Sequence, residues 1–136
     1  MKSKILLRCL IFFTLIATSC KKERDTTIIG KWISTSNYTE ENGNFSWRPT
    51  DGFSQVITFN PDARFSTFID MPTGSGTYTY DSRAAKIDLN YEADHYGTVP
   101  ATVTYKIDEL ANDRLIVSSF SLSGNLQFKT EYIRHD

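Results

Sequence analysis

The sequence KIDLNYE at residues 86–92 decides the fold, because apolar and polar residues alternate in it without a break. Alternation with a period of two places Ile87, Leu89 and Tyr91 on one face of an extended chain. The polar residues between them then occupy the opposite face, which is typical of a strand with one side on a core and the other in water. The segment therefore predicts an amphipathic β-strand.

The same pattern recurs along the chain from Ile28 onward, and turn-forming residues interrupt it at short intervals. No stretch shows the 3.6-residue periodicity of an ordinary helix. Eight strands are predicted, at residues 30–38, 53–59, 64–70, 76–81, 86–92, 99–110, 114–120 and 126–134. Short connections favour antiparallel neighbours, so the sequence predicts an all-β, eight-stranded up-and-down meander. Such a meander can close into a barrel, which removes exposed sheet edges, and a two-sheet β-sandwich is the alternative.

Three segments between the predicted strands are rich in turn residues. Thr39–Gly52 is polar and contains Asn42-Gly43-Asn44, so we expect a long loop or a decorated hairpin end there. Residues 60–63 read Asn-Pro-Asp-Ala and fit a type I turn, because proline fixes φ at the second position. Residues 72–76 form a cluster of chain-breaking residues that we expect to precede the next strand.

The first twenty residues have the order of a removable secretory signal. Three cations and no anion occupy residues 1–8, the apolar run CLIFFTLIA occupies residues 9–17, and small residues precede Cys20. The apolar run is about half of the roughly 20 residues that a membrane-spanning helix needs. We therefore expect export of the chain rather than a permanent transmembrane helix.

Ala17-Thr18-Ser19-Cys20 resembles the lipobox of bacterial lipoproteins. The resemblance implies cleavage before Cys20 and its acylation with chains such as palmitate, which would anchor the protein in a membrane. Acylation would account for this cysteine, since Cys9 leaves with the signal and a lone sulfur cannot form an internal disulfide. Resemblance to Gram-negative lipoproteins further implies the outer membrane, with periplasmic or surface display left open.

The expected organisation is a signal peptide at residues 1–19, a lipidated tether at 20–27 and one barrel domain at 28–136. Loss of the signal removes three cations and takes the formal charge from −1 to −4. A nucleic-acid-binding domain would need a basic face, so we expect no nucleic acid among the partners.

Gly30-Lys31-Trp32, at the start of the first predicted strand, resembles the Gly-x-Trp signature of the lipocalin superfamily. The domain as a whole is similar to the lipocalin-like domains of small Gram-negative lipoproteins. The resemblance implies a barrel whose closed end is plugged by Trp32, with Arg134 on the last strand packed across the indole ring. The resemblance supports the fold and does not identify a ligand. Our leading hypothesis is a non-enzymatic envelope lipoprotein that binds a small hydrophobic or amphipathic molecule in this barrel.

The core-facing sides of several predicted strands carry polar side chains. Buried hydroxyl and amide groups need hydrogen-bond partners, so these positions indicate a partly hydrated cavity or a polar small-molecule site. The candidate ligand-binding residues are Ser34, Ser36, Tyr38, Gln55, Thr67 and Tyr105. A register shift of one residue would move any of them to the solvent side.

Trp47 and Tyr96 lie in predicted polar loops, where large rings indicate either a contact with a partner or a cover folded over the barrel mouth. They support an alternative function, an interaction module that holds a protein or glycan partner. Interior volume separates the two hypotheses: a cavity of about 300 Å³ or more favours a bound small molecule, whereas a filled core favours the interaction module.

Catalytic and metal chemistry find little support in the sequence. His95 follows Asp94 in a loop without a third ligand at a suitable spacing, so we expect no metal and no cofactor. Asp88 and Glu92 would lie about 13 Å apart on one strand, beyond the roughly 5–9.5 Å of a glycosidase pair. No Gly-x-Ser-x-Gly motif is present. We therefore expect no enzymatic activity, and a hydrolase is kept only as a minor alternative.

Overall fold

The structure is a computed structural model that describes residues 27–50, 52, 54–69, 71–93 and 100–135, without the side chains of residues 69 and 71–73. The expected signal and Cys20 lie outside the described residues, as do His95 and Tyr96. The described chain forms the strands β1 (Gly30–Glu41), β2 (Asn44–Pro49), β3 (Val56–Phe59), β4 (Arg64–Ile69), β5 (Met71–Asp81), β6 (Lys86–Tyr91), β7 (Ala101–Leu110), β8 (Arg114–Phe120) and β9 (Leu126–His135). No helix occurs among these residues.

The strands form one antiparallel sheet that closes on itself. From β3 to β9 each strand pairs with the next, and pairing of β1 with β9 completes the barrel. β3 and β2 both pair with the same edge of β1, with Ile33 opposite Val56 and Ser36 opposite Pro49. β2 is therefore an extra strand on an eight-stranded up-and-down barrel. The predicted barrel is confirmed, and the sandwich alternative is excluded.

The first hairpin is tighter than a long loop across Thr39–Gly52 would allow. β1 continues to Glu41, and the chain returns in β2 after the two residues Asn42 and Gly43. Their φ angles are 53° and 81°, the left-handed values that a type I′ turn requires and that Asn-Gly adopts readily. The hairpin interpretation of this segment is confirmed, and the loop interpretation was wrong.

The cluster at residues 72–76 was expected to break the chain, yet β5 begins at Met71. Pro72 pairs with Phe68 beside a register shift in β4, close to the end of the β4–β5 hairpin. A proline costs little at the start of a strand or near a bulge, because few ladder hydrogen bonds depend on its missing N–H.

The core lies inside the barrel on the face that the period-two pattern predicts. Ile87 and Leu89 of the KIDLNYE stretch are each only 1% exposed. Phe65 packs edge-on against the ring of Tyr91, with the centroids 4.9 Å apart. The other large buried apolar side chains are Ile28, Trp32, Ile57, Phe59, Tyr78, Ile107, Leu115, Val117 and Tyr132.

One end of the barrel is closed by Trp32 and Arg134. The indole is fully buried and donates its N–H to the carbonyl of Ile28 at 2.8 Å. The Arg134 guanidinium carbon lies 4.3 Å from the centroid of the Trp32 ring, a cation–π contact worth about 0.5–2 kcal/mol. A Cβ on Gly30, whose φ is 138°, would lie 2.5 Å from Nη1 of Arg134. Glycine is therefore required where the arginine crosses the chain.

Candidate functional site

A β-bulge in β1 decides which candidate residues face the interior. Ser34 pairs with Tyr132 of β9, but Ser36 pairs with Glu131, so two steps on β1 match one step on β9. The extra residue reverses the alternation beyond Thr35. Ser36 and Tyr38 consequently lie on the outer face, contrary to the expectation that they line up with the core.

Ser34 and Gln55 lie inside the barrel, where they hold neighbouring strands together. Ser34 is 2% exposed, and its Oγ accepts the backbone N–H of Gln55 at 2.7 Å. The Gln55 side-chain oxygen accepts a hydrogen bond from the hydroxyl of Tyr132, also at 2.7 Å. Buried polar atoms are thus paired within the protein.

Thr67 and Tyr105 also face inward, next to two further tyrosines. Thr67 donates to the carbonyl of Gly74 at 3.3 Å and lies beside the Tyr91 hydroxyl. Burial, followed by the neighbouring Tyr91, raises the pKa of Tyr105 to about 12. Burial likewise raises the pKa of Tyr132 and of Tyr91 above the ordinary value of 10. All three hydroxyls therefore stay neutral at physiological pH, so this part of the interior is polar but uncharged.

The interior leaves little free space where the described residues enclose it. The void there has a volume of about 10 Å³, which is close to the space one water molecule needs. Its lining residues are Ile57, Phe59, Ile87, Tyr105, Leu115, Val117 and Tyr132.

The larger concave feature lies on the outer face, where Tyr38 stands directly opposite Trp47 of β2 and Lys129 of β9. These three residues and Leu126 line a groove of about 460 Å³, which we call the aromatic groove. The rings of Tyr38 and Trp47 lie 5.4 Å apart at an angle of 49°. Trp47 is 43% exposed, so its ring remains available for contact.

Two neighbours fix the positions of the groove side chains. Phe45 stacks on Tyr38, with the centroids 5.4 Å apart and the planes at 20°. Lys129 Nζ donates to Asp108 at 2.8 Å. Although burial alone would raise it, hydrogen bonds from Lys129 and Ser118 hold the pKa of Asp108 below its ordinary value. The ammonium group is thus held in place and keeps two of its three donors for other partners.

Ser36 takes part in a separate charged network on the same outer face. Its hydroxyl donates to Glu131 at 2.6 Å, and Arg114 Nε donates to the second oxygen of the same carboxylate at 2.6 Å. Arg114 also pairs with Glu109 at 3.1 Å. The hydrogen bonds from Ser36 and Arg114 lower the pKa of Glu131. Because these groups satisfy one another, we assign the network to the stability of the sheet.

The acidic residues considered for hydrolysis belong to separate ion pairs. Asp88 contacts Lys86 at 2.8 Å and accepts a hydrogen bond from Thr104, whereas Glu92 contacts Arg64 at 3.0 Å. Within the described ranges, no group of three histidine, cysteine or acidic residues is placed to hold a metal ion.

The sequence singled out Trp47 but placed it in a loop, and it did not identify Phe45, Leu126 or Lys129 as site residues. The signal that could have found the groove is Asn42-Gly43, a strong hairpin turn. Taken as such a turn, it places residues 44–49 in a strand opposite Tyr38, with Phe45 and Trp47 on the same face.

The part of the chain with described structure contains no helix long and apolar enough to cross a membrane. No protein-family model matches this chain, and no curated protein matches it at a significant level.

Proposed function

We propose that the protein is a lipid-anchored envelope lipoprotein whose barrel is a packed scaffold and whose aromatic groove binds a molecule of the envelope. The contrast in volume carries the proposal. The described interior void of about 10 Å³ admits no more than a water molecule, whereas the groove of about 460 Å³ lies within the usual range for ligand sites. Exposed aromatic rings are also the side chains that binding surfaces favour.

The position of the groove suits an anchored protein. Thr27 lies at the closed end, where its carbonyl accepts a hydrogen bond from Arg134 at 2.6 Å. The seven steps along the chain from Cys20 to Thr27 can span at most about 25 Å. Tyr38 lies eight residues along β1 from Gly30, or about 26 Å further from that end. The groove would therefore face away from the lipid surface.

A second candidate is binding of a small amphipathic molecule inside the barrel, as a lipocalin-like domain would do. The contact between Trp32 and Arg134 supports that resemblance, and the uncharged polar lining of Gln55, Tyr105 and Tyr132 would suit such a ligand. Entry of the ligand would require these side chains to move apart.

Capture of native envelope material tests the proposal. Full-length protein, purified in detergent and immobilised, is incubated with a solubilised envelope fraction, and bound material is analysed by mass spectrometry. We expect Trp47→Ala to abolish specific capture and the interior variant Tyr105→Phe to preserve it. Capture that survives Trp47→Ala but fails in Tyr105→Phe would favour the interior site. Mass analysis of the mature N-terminus tests the anchor, since the proposal requires acylated Cys20.

A further inference from the structure

We infer that the aromatic groove binds carbohydrate, through the pyranose rings of an uncharged oligosaccharide. The inference rests on the proposed function, because it names the ligand class of the same groove. Three observations carry it: the geometry of the two aromatic rings, the donors that the same residues carry, and the balance of charge nearby.

The rings of Tyr38 and Trp47 contact each other and form one bent aromatic surface in the groove. Their centroids lie 5.4 Å apart and their planes meet at 49°, so a flat molecule can lie against one ring while its edge meets the other. A pyranose has C–H groups on its faces and hydroxyl groups around its edge. The C–H faces pack on aromatic rings, because the face of such a ring carries a negative quadrupole. Phe45 stacks on Tyr38, which restricts the orientation of that ring.

Three of the residues that line the groove carry hydrogen-bond donors, which the hydroxyl groups of a sugar could use. Tyr38 supplies a phenolic O–H, Trp47 an indole N–H, and Lys129 the two ammonium donors not used by Asp108. A purely apolar ligand would leave these donors unsatisfied, whereas each can bond a hydroxyl or ring oxygen of a sugar.

The charges nearest the groove balance. Lys129 and Lys106 share Asp108, and Glu40 pairs with Phe45 on the face of the hairpin that carries Trp47, so two cations are matched by two carboxylates. A site for an anionic lipid headgroup or a phosphorylated polymer would need unpaired cations. The electroneutral groove instead fits a neutral ligand whose polar groups are hydroxyls.

A peptide is the competing occupant. Within the described chain β2 pairs with β1 alone, so its other edge is open to an added strand. However, Pro49 has no N–H to offer such a strand, and the exposed rings lie on the face of the hairpin rather than along its edge. The arrangement therefore favours a sugar, which would pack against the aromatic rings on the face of the hairpin and would not need the edge of β2.

Titration of the full-length protein in detergent with maltohexaose, cellohexaose and chitohexaose tests the inference. We expect saturable binding of at least one of these neutral oligosaccharides. Trp47→Ala should weaken it at least tenfold, whereas Trp47→Phe, which keeps an aromatic face, should weaken it by about threefold or less. Lys129→Ala, a second variant outside the core, should weaken it several-fold. Binding of none of the three, or binding unaffected by Trp47→Ala, would overturn the inference.

Treatment of the envelope fraction separates this inference from the proposed function. Capture that survives proteinase K and is lost after periodate oxidation, which cleaves sugar diols, supports carbohydrate. Capture that depends on Trp47 but is destroyed by proteinase K overturns the carbohydrate inference and leaves the proposed function standing with a protein partner. Capture that is independent of Trp47 overturns both.

Discussion

Replacement of Arg134 by alanine should destabilise the closed end of the barrel more than any other surface-charge deletion. The side chain packs on the Trp32 ring and also donates to the carbonyls of Asn112, Ile29 and Thr27, at 2.5, 2.6 and 2.6 Å. It thereby ties the β7–β8 turn and the chain before β1 to the last strand.

The magnitude follows from these contacts. The cation–π contact contributes about 0.5–2 kcal/mol. Hydrogen bonds from a charged donor contribute about 1.5–3 kcal/mol each, but water can replace part of them at this partly exposed site and they are not additive. We therefore expect Arg134→Ala to lower the free energy of unfolding by about 2–3 kcal/mol, or Tm by roughly 8–12 °C for a domain of this size.

Urea denaturation followed by circular dichroism measures this loss. Arg134→Lys keeps the charge but not the planar fork, so it should recover less than half of the loss. Arg83→Ala, in an exposed turn, is the matched control and should change stability by less than about 0.5 kcal/mol. An Arg134→Ala variant as stable as the control would refute the structural role assigned to this arginine.

Further expectations concern the core, the first hairpin, pH and the anchor. Ile87→Ala should cost about 2–5 kcal/mol in chemical denaturation, because it leaves a cavity in a filled core. Gly43→Ala should cost about 1–2 kcal/mol, since φ is 81° there while nothing lies within 4 Å of the added Cβ. Burial raises the pKa of Tyr105 to about 12, so this group does not reduce stability below pH 10, but about 2 kcal/mol should be lost as the pH rises from 10 to about 12. Tyr105→Phe should flatten that decline in urea midpoints. Cys20→Ser should abolish palmitate labelling and release the protein from membranes, and labelling that persists would contradict the anchor.

Strict alternation made part of the fold predictable from the sequence. At residues 86–92 each apolar residue has a polar neighbour, so only one register buries Ile87 and Leu89. β1 is different, because Ser34, Thr35 and Ser36 are all small and polar. No apolar residue marks the inner face there, so the bulge that turns Tyr38 outward left no trace in the pattern.

The candidate site was predictable only in part for the same reason. Trp47 was notable by itself as a large ring in a polar segment. Its partner Tyr38 lies across the same hairpin, whose register follows from the Asn42-Gly43 turn, whereas Lys129 comes from the distant strand β9 and meets Tyr38 through the register that the bulge sets. The volume of the interior, likewise, depends on how Tyr105 and Tyr132 fill it and not on the strand pattern.

The two tryptophans offer the most direct measurement of the central claim, because one lies at the closed end and the other in the groove. Indole N–H signals of ¹⁵N-tryptophan-labelled protein would be followed during titration with solubilised envelope material. A packed scaffold with an external site predicts that the Trp47 signal moves while the Trp32 signal, bonded to Ile28, stays fixed. A Trp47 signal that stays fixed while the signal of the buried Trp32 moves would contradict it and place the ligand inside the barrel.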